Sequence, residues 1–277
     1  MSADLTIALF TMGGLGLLFS SILVFADKKL RVQENPLIGQ VAELLPNANC
    51  GACGFAGCYD FATKLVEGKV EMTKCSVCSS DSREEISRLL GVDASQAEKK
   101  VARILCRGNY EAAKRKNVYY IGPNTCSALA LMGGLKLCQY GCLGGGDCVE
   151  ACPFDAIFMA DNGLPSVIEE ACTGCGLCAK ACPRNIIEIY PIERNAFVFC
   201  KSEDDPKTSK EFCNNACIGC GICARKSDGG IEMINYLAVI NYDKLDISKI
   251  PFDKCSTKAL QIVNHNQLIE EQISAAN

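Results

Sequence analysis

The chain has 277 residues and a net charge of -4, which leaves room for two or three domains or a string of small ones and gives no hint of nucleic-acid binding. It carries 21 cysteines but one histidine, His265, so thiol chemistry comes first, as disulfides, zinc sites or iron–sulfur clusters. No tryptophan and few aromatic residues suit small domains that bury little apolar surface, where metal ligation supplies much of the folding free energy.

Residues 5–26, LTIALFTMGGLGLLFSSILVFA, contain no charge. At ~1.5 Å rise per residue a helix here is about 33 Å long, enough to cross a hydrocarbon core of roughly 30 Å. Asp4 precedes it, while Asp27, Lys28, Lys29 and Arg31 follow. The positive flank is C-terminal, so a single-pass anchor in the cytoplasmic membrane is expected, with the bulk of the chain on the cytoplasmic side. A cleavable signal would want a basic start and a shorter apolar run; a buried core helix is the alternative. Gly13, Gly14 and Gly16 would let a second membrane helix approach closely.

Residues 33–92 read as a small α-rich domain. Cys50-x2-Cys53-x4-Cys58-x16-Cys75 supplies four thiolates, and Gly51, Gly54 and Gly57 allow the backbone to wrap tightly around them. Cys58 opens an expected helix with Phe61 and Leu65 on one face, and Cys75 returns from beyond it. A structural zinc site is the alternative here. Cys78 stands outside the set. This unit resembles the iron–sulfur domain of the B subunit of Rnf electron-transport complexes and of some corrinoid-enzyme subunits.

Residues 93–136 read as a connector, with a helix before it ending near Gly91 and a strand around VARILC. Lys114, Arg115 and Lys116 read as a solvated basic turn. Cys106 and Cys126 fall outside any ligand spacing and read as small buried hydrophobes.

Residues 137–192 read as a two-cluster ferredoxin domain. Cys172-x2-Cys175-x2-Cys178-x3-Cys182-Pro183 has the bacterial ferredoxin spacing, and Cys138-x3-Cys142-x5-Cys148-x3-Cys152-Pro153 reads as a looser copy. Cysteine triplets with a fourth cysteine before proline favour four-iron clusters over zinc or disulfides. Residues 205–265 repeat the pattern in decayed form: CIGCGICARKSDGGI lies over CTGCGLCAKACPRNI, and KCSTKALQIV over ACPRNIIEIY.

In such domains the first three cysteines of each motif hold one cluster and the fourth holds the other. Applied to the decayed pair, that rule makes Ser227, Leu245, Ser248 and Pro251 the four positions of one cluster, all lost together. Cys217, Cys220, Cys223 and Cys255 are the four positions of the other, all kept. Cys200 and Cys213 read as structural, Cys213 being an alternative ligand. In the central domain the same rule groups Cys138, Cys142, Cys148 and Cys182, and separately Cys152, Cys172, Cys175 and Cys178. The expected total is four [4Fe-4S] clusters. The expected fold is α+β: one N-terminal transmembrane helix, a small α-rich iron–sulfur domain, then tandem bacterial-type ferredoxin-like modules.

Full cysteine ligation leaves no iron open to a substrate, and no residue reads as catalytic. What remains is one-electron transfer along a row of clusters. The order of parts resembles the B subunit of the Rnf complex over essentially the whole chain, in the longer form with a C-terminal ferredoxin-like extension. The resemblance implies an electron-transfer subunit of an ion-translocating ferredoxin:NAD oxidoreductase. It would take electrons from reduced soluble ferredoxin and work with other subunits of a membrane complex that reduces NAD and moves Na+ or H+. The apolar helix has no charge that would offer an ion path, so coupling would lie in those partners. The rival roles are electron donation to another acceptor, such as a redox-sensing regulator, and a zinc-stabilised interaction scaffold. Lys207, Lys210, Arg225 and Lys226 are candidates for steering an acidic donor.

Overall fold

A computed structural model describes residues 3–30, 35–92 and 98–263. Arg31, residues 93–97 and His265 lie outside the described residues. Helix α1 (Ala3–Leu30) runs four residues beyond the expected end at 26, so that Lys28 and Lys29 fall in its last turn, where cations favour the helix dipole. Its stretch Leu9–Leu30 is long and apolar enough to cross a membrane. Among the described residues nothing buries that stretch: Phe10 is 83% and Met12 79% exposed, unlike the core helix of a soluble domain.

The next unit wraps three helices around one apolar core. Asn35 caps α2 (Pro36–Leu44), its side-chain oxygen accepting from the Leu37 N–H at 3.0 Å, with proline at the first helical position. Helix α3 (Cys58–Val66) begins on a ligand candidate, and α4 (Ser80–Leu90) begins at a Ser79 cap. Val41, Phe61, Ala62 and Ile86, one to two from each helix, are at most 1% exposed. Each larger side chain among them contributes about 1.5–3 kcal/mol by leaving water, a modest total for a unit this small.

Residues 98–263 build four two-stranded antiparallel sheets. Strand β1 (Lys100–Ile104) pairs with β4 (Ile187–Pro191), from Lys100 opposite Pro191 to Ile104 opposite Ile187. β2 (Ile157–Met159) pairs with β3 (Pro165–Val167), β5 (Ala196–Val198) with β8 (Leu260–Ile262), and β6 (Ile231–Ile234) with β7 (Leu237–Ile240). Short helices interleave: α5 (Cys126–Leu131), α6 (Asp147–Glu150), α7 (Leu177–Ala181), α8 (Pro206–Phe212) and α9 (Ile222–Lys226).

Two boundaries differ from the sequence reading. The segment read as a connector supplies β1, whose Val101 and Ala102 are buried in one core with Ile157, Ile186 and Ile187. A buried ion pair between Arg103 on β1 and Glu169 fastens the same strand to the loop before Cys172. The C-terminal module likewise starts earlier than residue 205, because β5 is the partner of its last strand. An isolated strand cannot satisfy its backbone groups, and the nearest free edge in each case belongs to the neighbouring module. The basic turn is also paired: the Lys114 N–H donates to the Phe212 carbonyl, and Arg115 bridges Lys136.

Candidate metal centres

The N-terminal unit gathers Cys50, Cys53, Cys58 and Cys75 around one pocket. Cys58 is fixed by its backbone N–H, which donates to the Asn49 side-chain oxygen at 2.8 Å. Cys75 follows a 3-10 turn over Met72–Lys74, and the backbone N–H groups of Val77 and Cys78 point at its sulfur. Arg83, buried under this loop, donates to the Cys75 carbonyl at 2.5 Å.

In the central module Cys152, Cys172, Cys175 and Cys178 line a second pocket. Strand β1 reaches into this site, with the Ala102 N–H donating to the Cys172 sulfur at 3.4 Å. The Leu177 N–H serves Cys175. Such N–H···S contacts stabilise thiolate charge and tune a cluster.

The first ferredoxin motif corrects the sequence reading. Gly144 and Gly146 have φ of 78° and 84°, Gly174 and Gly176 have 66° and 78°, and Gly219 and Gly221 have 62° and 68°. The three loops share one backbone course, so Gly145 stands where Cys175 and Cys220 stand. The motif is therefore Cys142-x2-Gly145-x2-Cys148 at ordinary spacing with the second ligand missing, rather than a widened loop led by Cys138. A Cβ on Gly145 would lie 2.3 Å from the Cys126 backbone nitrogen, so the start of α5 fills the place of that missing side chain. The N–H groups of Gly145, Gly146 and Asp147 point at the Cys126 sulfur, and the Asp147 N–H does for it what the Leu177 N–H does for Cys175.

Asp147 holds this arrangement, accepting from the Cys126 N–H at 2.5 Å and from the Ser127 N–H and hydroxyl at 3.0 and 2.8 Å. Burial pushes its carboxyl up, but those hydrogen bonds outweigh burial and keep it below the ordinary value. Cys126 neighbours both Cys142 and Cys148, and Cys148 neighbours Cys182. Cys138, expected in this group, instead lines a separate cavity with Cys106, Cys200 and Cys213. Sequence reasoning missed Cys126 because it lies 16 residues before Cys142; the available signal was CLGGGDC laid over CTGCGLC and CIGCGIC.

In the C-terminal module Cys223 neighbours Cys217 and Cys220, and Cys255 packs into the same apolar cluster as Cys217 and Cys223. The Leu260 N–H donates to the Cys255 sulfur at 3.4 Å. Three of the four positions read as lost have other occupations. Ser227, 1% exposed, accepts from the Ile231 N–H at 2.8 Å; Leu245 packs with Ile231, Leu237 and Ile250; the Ser248 hydroxyl turns to Asp246 at 2.6 Å.

Among the described residues no three cysteine, histidine or acidic side chains stand as close as a single ion requires. Thiolates around one zinc lie ~3.8 Å apart, from 2.3 Å tetrahedral bonds, whereas in a polynuclear cluster each thiolate takes its own iron and stands farther off. Burial pushes the Cys142, Cys148 and Cys178 thiols up to about 12, so ligation must remove protons from them and favours higher pH.

Two family models match these regions: one described as "Putative Fe-S cluster" over residues 45–77, and one as "4Fe-4S dicluster domain" over residues 136–189. The chain is 38% identical over 245 residues to the B subunit of the Na(+)-translocating ferredoxin:NAD(+) oxidoreductase complex of Acetobacterium woodii, covering 88% of this chain and 74% of that one. It is 36% identical to the B subunit of the ion-translocating oxidoreductase complex of Methanosarcina acetivorans, covering 95% and 100%. It is 39% identical to the B subunit of the proton-translocating ferredoxin:NAD(+) oxidoreductase complex of Clostridium ljungdahlii, covering 72% and 71%. Together with the cysteine sites, the two family matches indicate iron–sulfur clusters in both regions.

Proposed function

We infer a function from the premise that this chain belongs to the B-subunit family of ion-translocating ferredoxin:NAD oxidoreductase complexes. It is an electron-transfer subunit of an oxidoreductase, and its partners include the other subunits of such a complex. In finer terms, it takes electrons from reduced soluble ferredoxin and hands them to membrane subunits that reduce NAD and move Na+ or H+. The anchor α1 crosses the bilayer once and leaves residues 35–263 on the cytoplasmic side, in line with its basic C-terminal flank. The reading keeps the α+β class, with an iron–sulfur domain over 33–92 and tandem ferredoxin-like modules, widened to include β1 and β5.

Four [4Fe-4S] clusters fit the residues present. Cys50, Cys53, Cys58 and Cys75 hold one; Cys152, Cys172, Cys175 and Cys178 the second; Cys126, Cys142, Cys148 and Cys182 the third; Cys217, Cys220, Cys223 and Cys255 the fourth. Bound there, the clusters supply one-electron transfer at potentials set by burial and by hydrogen bonds to sulfur. The protein's part is to hold these thiolates in succession and keep water from them. One observation carries the relay: Cys50 lies near Cys175, and Cys178 near Cys148, so three sites follow one another.

The donor surface is sought at the C-terminal site, where Cys220 is exposed and the Arg225 guanidinium would lie 3.1 Å from a Cβ on its neighbour Gly221. Lys226 and Lys254 stand together beside it, a cationic patch that would steer an acidic donor. Membranes with and without this chain provide the test. Ferredoxin-dependent NAD reduction should disappear on deletion and return on complementation; unchanged reduction would remove the proposed role.

A further inference from the structure

The three sites that follow one another leave a gap before the C-terminal one. The gap is occupied by four cysteines that the four clusters leave unused. Cys106 follows β1, Cys138 precedes the first ferredoxin loop, Cys200 follows β5 and Cys213 follows α8. These segments are far apart in sequence, yet all four side chains line one pocket, as the four of the N-terminal site line theirs.

The backbone treats each sulfur alike. The N–H two residues ahead points at it in every case: Gly108 to Cys106 at 3.4 Å, Ser202 to Cys200 at 3.4 Å, Tyr140 to Cys138 and Asn215 to Cys213. The same turn serves Cys75 and Cys175. Two glycines leave the cavity open. The Cys106 and Cys213 sulfurs both lie 3.6 Å from where a Cβ on Gly108 would stand, and those of Cys138 and Cys106 lie 3.5 and 3.6 Å from one on Gly141. The Lys136 ammonium, in a residue only 8% exposed, also lines the cavity and donates to the Gly108 carbonyl at 2.5 Å. Among the described residues it has no carboxylate partner in a salt bridge. A buried cation needs a counter-charge, and four thiolates around a cluster would provide one.

We propose that Cys106, Cys138, Cys200 and Cys213 hold a fifth iron–sulfur cluster, of the four-iron class, that joins the central module to the C-terminal one. Both neighbours touch it through ligand backbone. The Cys142 N–H donates to the Cys106 sulfur at 3.3 Å, and the Cys217 N–H points at the Cys200 sulfur. This cluster would complete an unbroken order from Cys50 to Cys255 and leave only Cys78 of the 21 cysteines without iron.

The electron route rests on the relay reading, but the metal count does not, so the two can fail separately. The full chain, purified anaerobically, should contain ~20 iron and ~20 acid-labile sulfide, and native mass spectrometry should show five clusters. The double variant Cys106→Ala and Cys213→Ala should lose about four iron and one EPR-active centre, while Cys78→Ala loses none. A wild-type chain saturating at ~16 iron would overturn the proposal even where the double variant does not fold. So would one zinc per wild-type chain that disappears in that variant.

Discussion

Gly145 in the central module and Ser227 in the C-terminal module are both positions where the ferredoxin repeat calls for a cysteine and has none, and the molecule treats them differently. At Gly145 three companions remain, and Cys126 stands beside Cys142 and Cys148 at the start of α5, tethered through Asp147, as the proposed fourth ligand. At Ser227 the companions are gone as well, and the region is packed with Leu245, Ile231, Leu237 and Ile250. In the proposed assignment a single missing ligand would leave three thiolates short of a fourth, and one sulfur from elsewhere restores the site. With four ligands missing there is no charge left to satisfy, and side-chain packing replaces the metal as the source of stability.

The largest expected effect tests that contrast as a whole. Removal of iron by anaerobic chelation should destabilise the central module on the order of 10 kcal/mol, the scale of metal-driven folding. Circular dichroism and protease resistance would read the loss, and a central module that stays folded without iron would break the comparison. Next, Cys126→Ala should cost about four iron, and adding Gly145→Cys should not restore them, because Thr125–Cys126 backbone stands within 3 Å of the new Cβ. Recovery of the iron would show that α5 merely fills space.

On the packed side, Ile250→Ala should cost about 2–5 kcal/mol in a denaturant titration with no change in iron content. Iron loss there would mean that a metal site persists. Ser227→Ala should cost about 1–3 kcal/mol by leaving the Ile231 N–H unpaired, and Ser227→Cys should add no iron.

The smallest effect concerns the seam between the two modules, where Glu188 on β4 pairs with Lys201 and accepts from the Tyr190 hydroxyl. Burial pushes the Glu188 carboxyl up, but these two partners outweigh burial and hold it below its ordinary value. Its contribution is therefore present above the unfolded value of ~4.3 and fades as pH falls through the lower folded value. Glu188→Gln should flatten that acid limb by less than about 1 kcal/mol, given a pair roughly one-third exposed. A steeper limb in the variant would contradict the assignment.

Much of this was legible in the chain itself. The apolar run before residue 30, the Cys50–Cys75 set and the triplets Cys172–Cys178 and Cys217–Cys223 are local patterns. The two triplets depend on ligands three residues apart on one loop, a geometry that short-range backbone conformation dictates. The joint loss of Ser227, Leu245, Ser248 and Pro251 was readable for the same reason, since the repeat kept its length. The reading went astray at Cys138, where spacing along the chain was taken for spacing around a site.

What only the tertiary structure decided is which distant sulfurs meet. A metal site asks for sulfur at a point in space, without regard to the path of the chain that brings it there. Cys126 reaches the central site by helix placement, and β1 joins β4 by strand pairing, bringing Cys106 with it. Cys200 and Cys213 come to Cys138 because β5 and α8 pack onto the central module. No periodicity records those meetings, because the contacts that enforce them are hydrogen bonds and apolar packing between segments far apart in sequence.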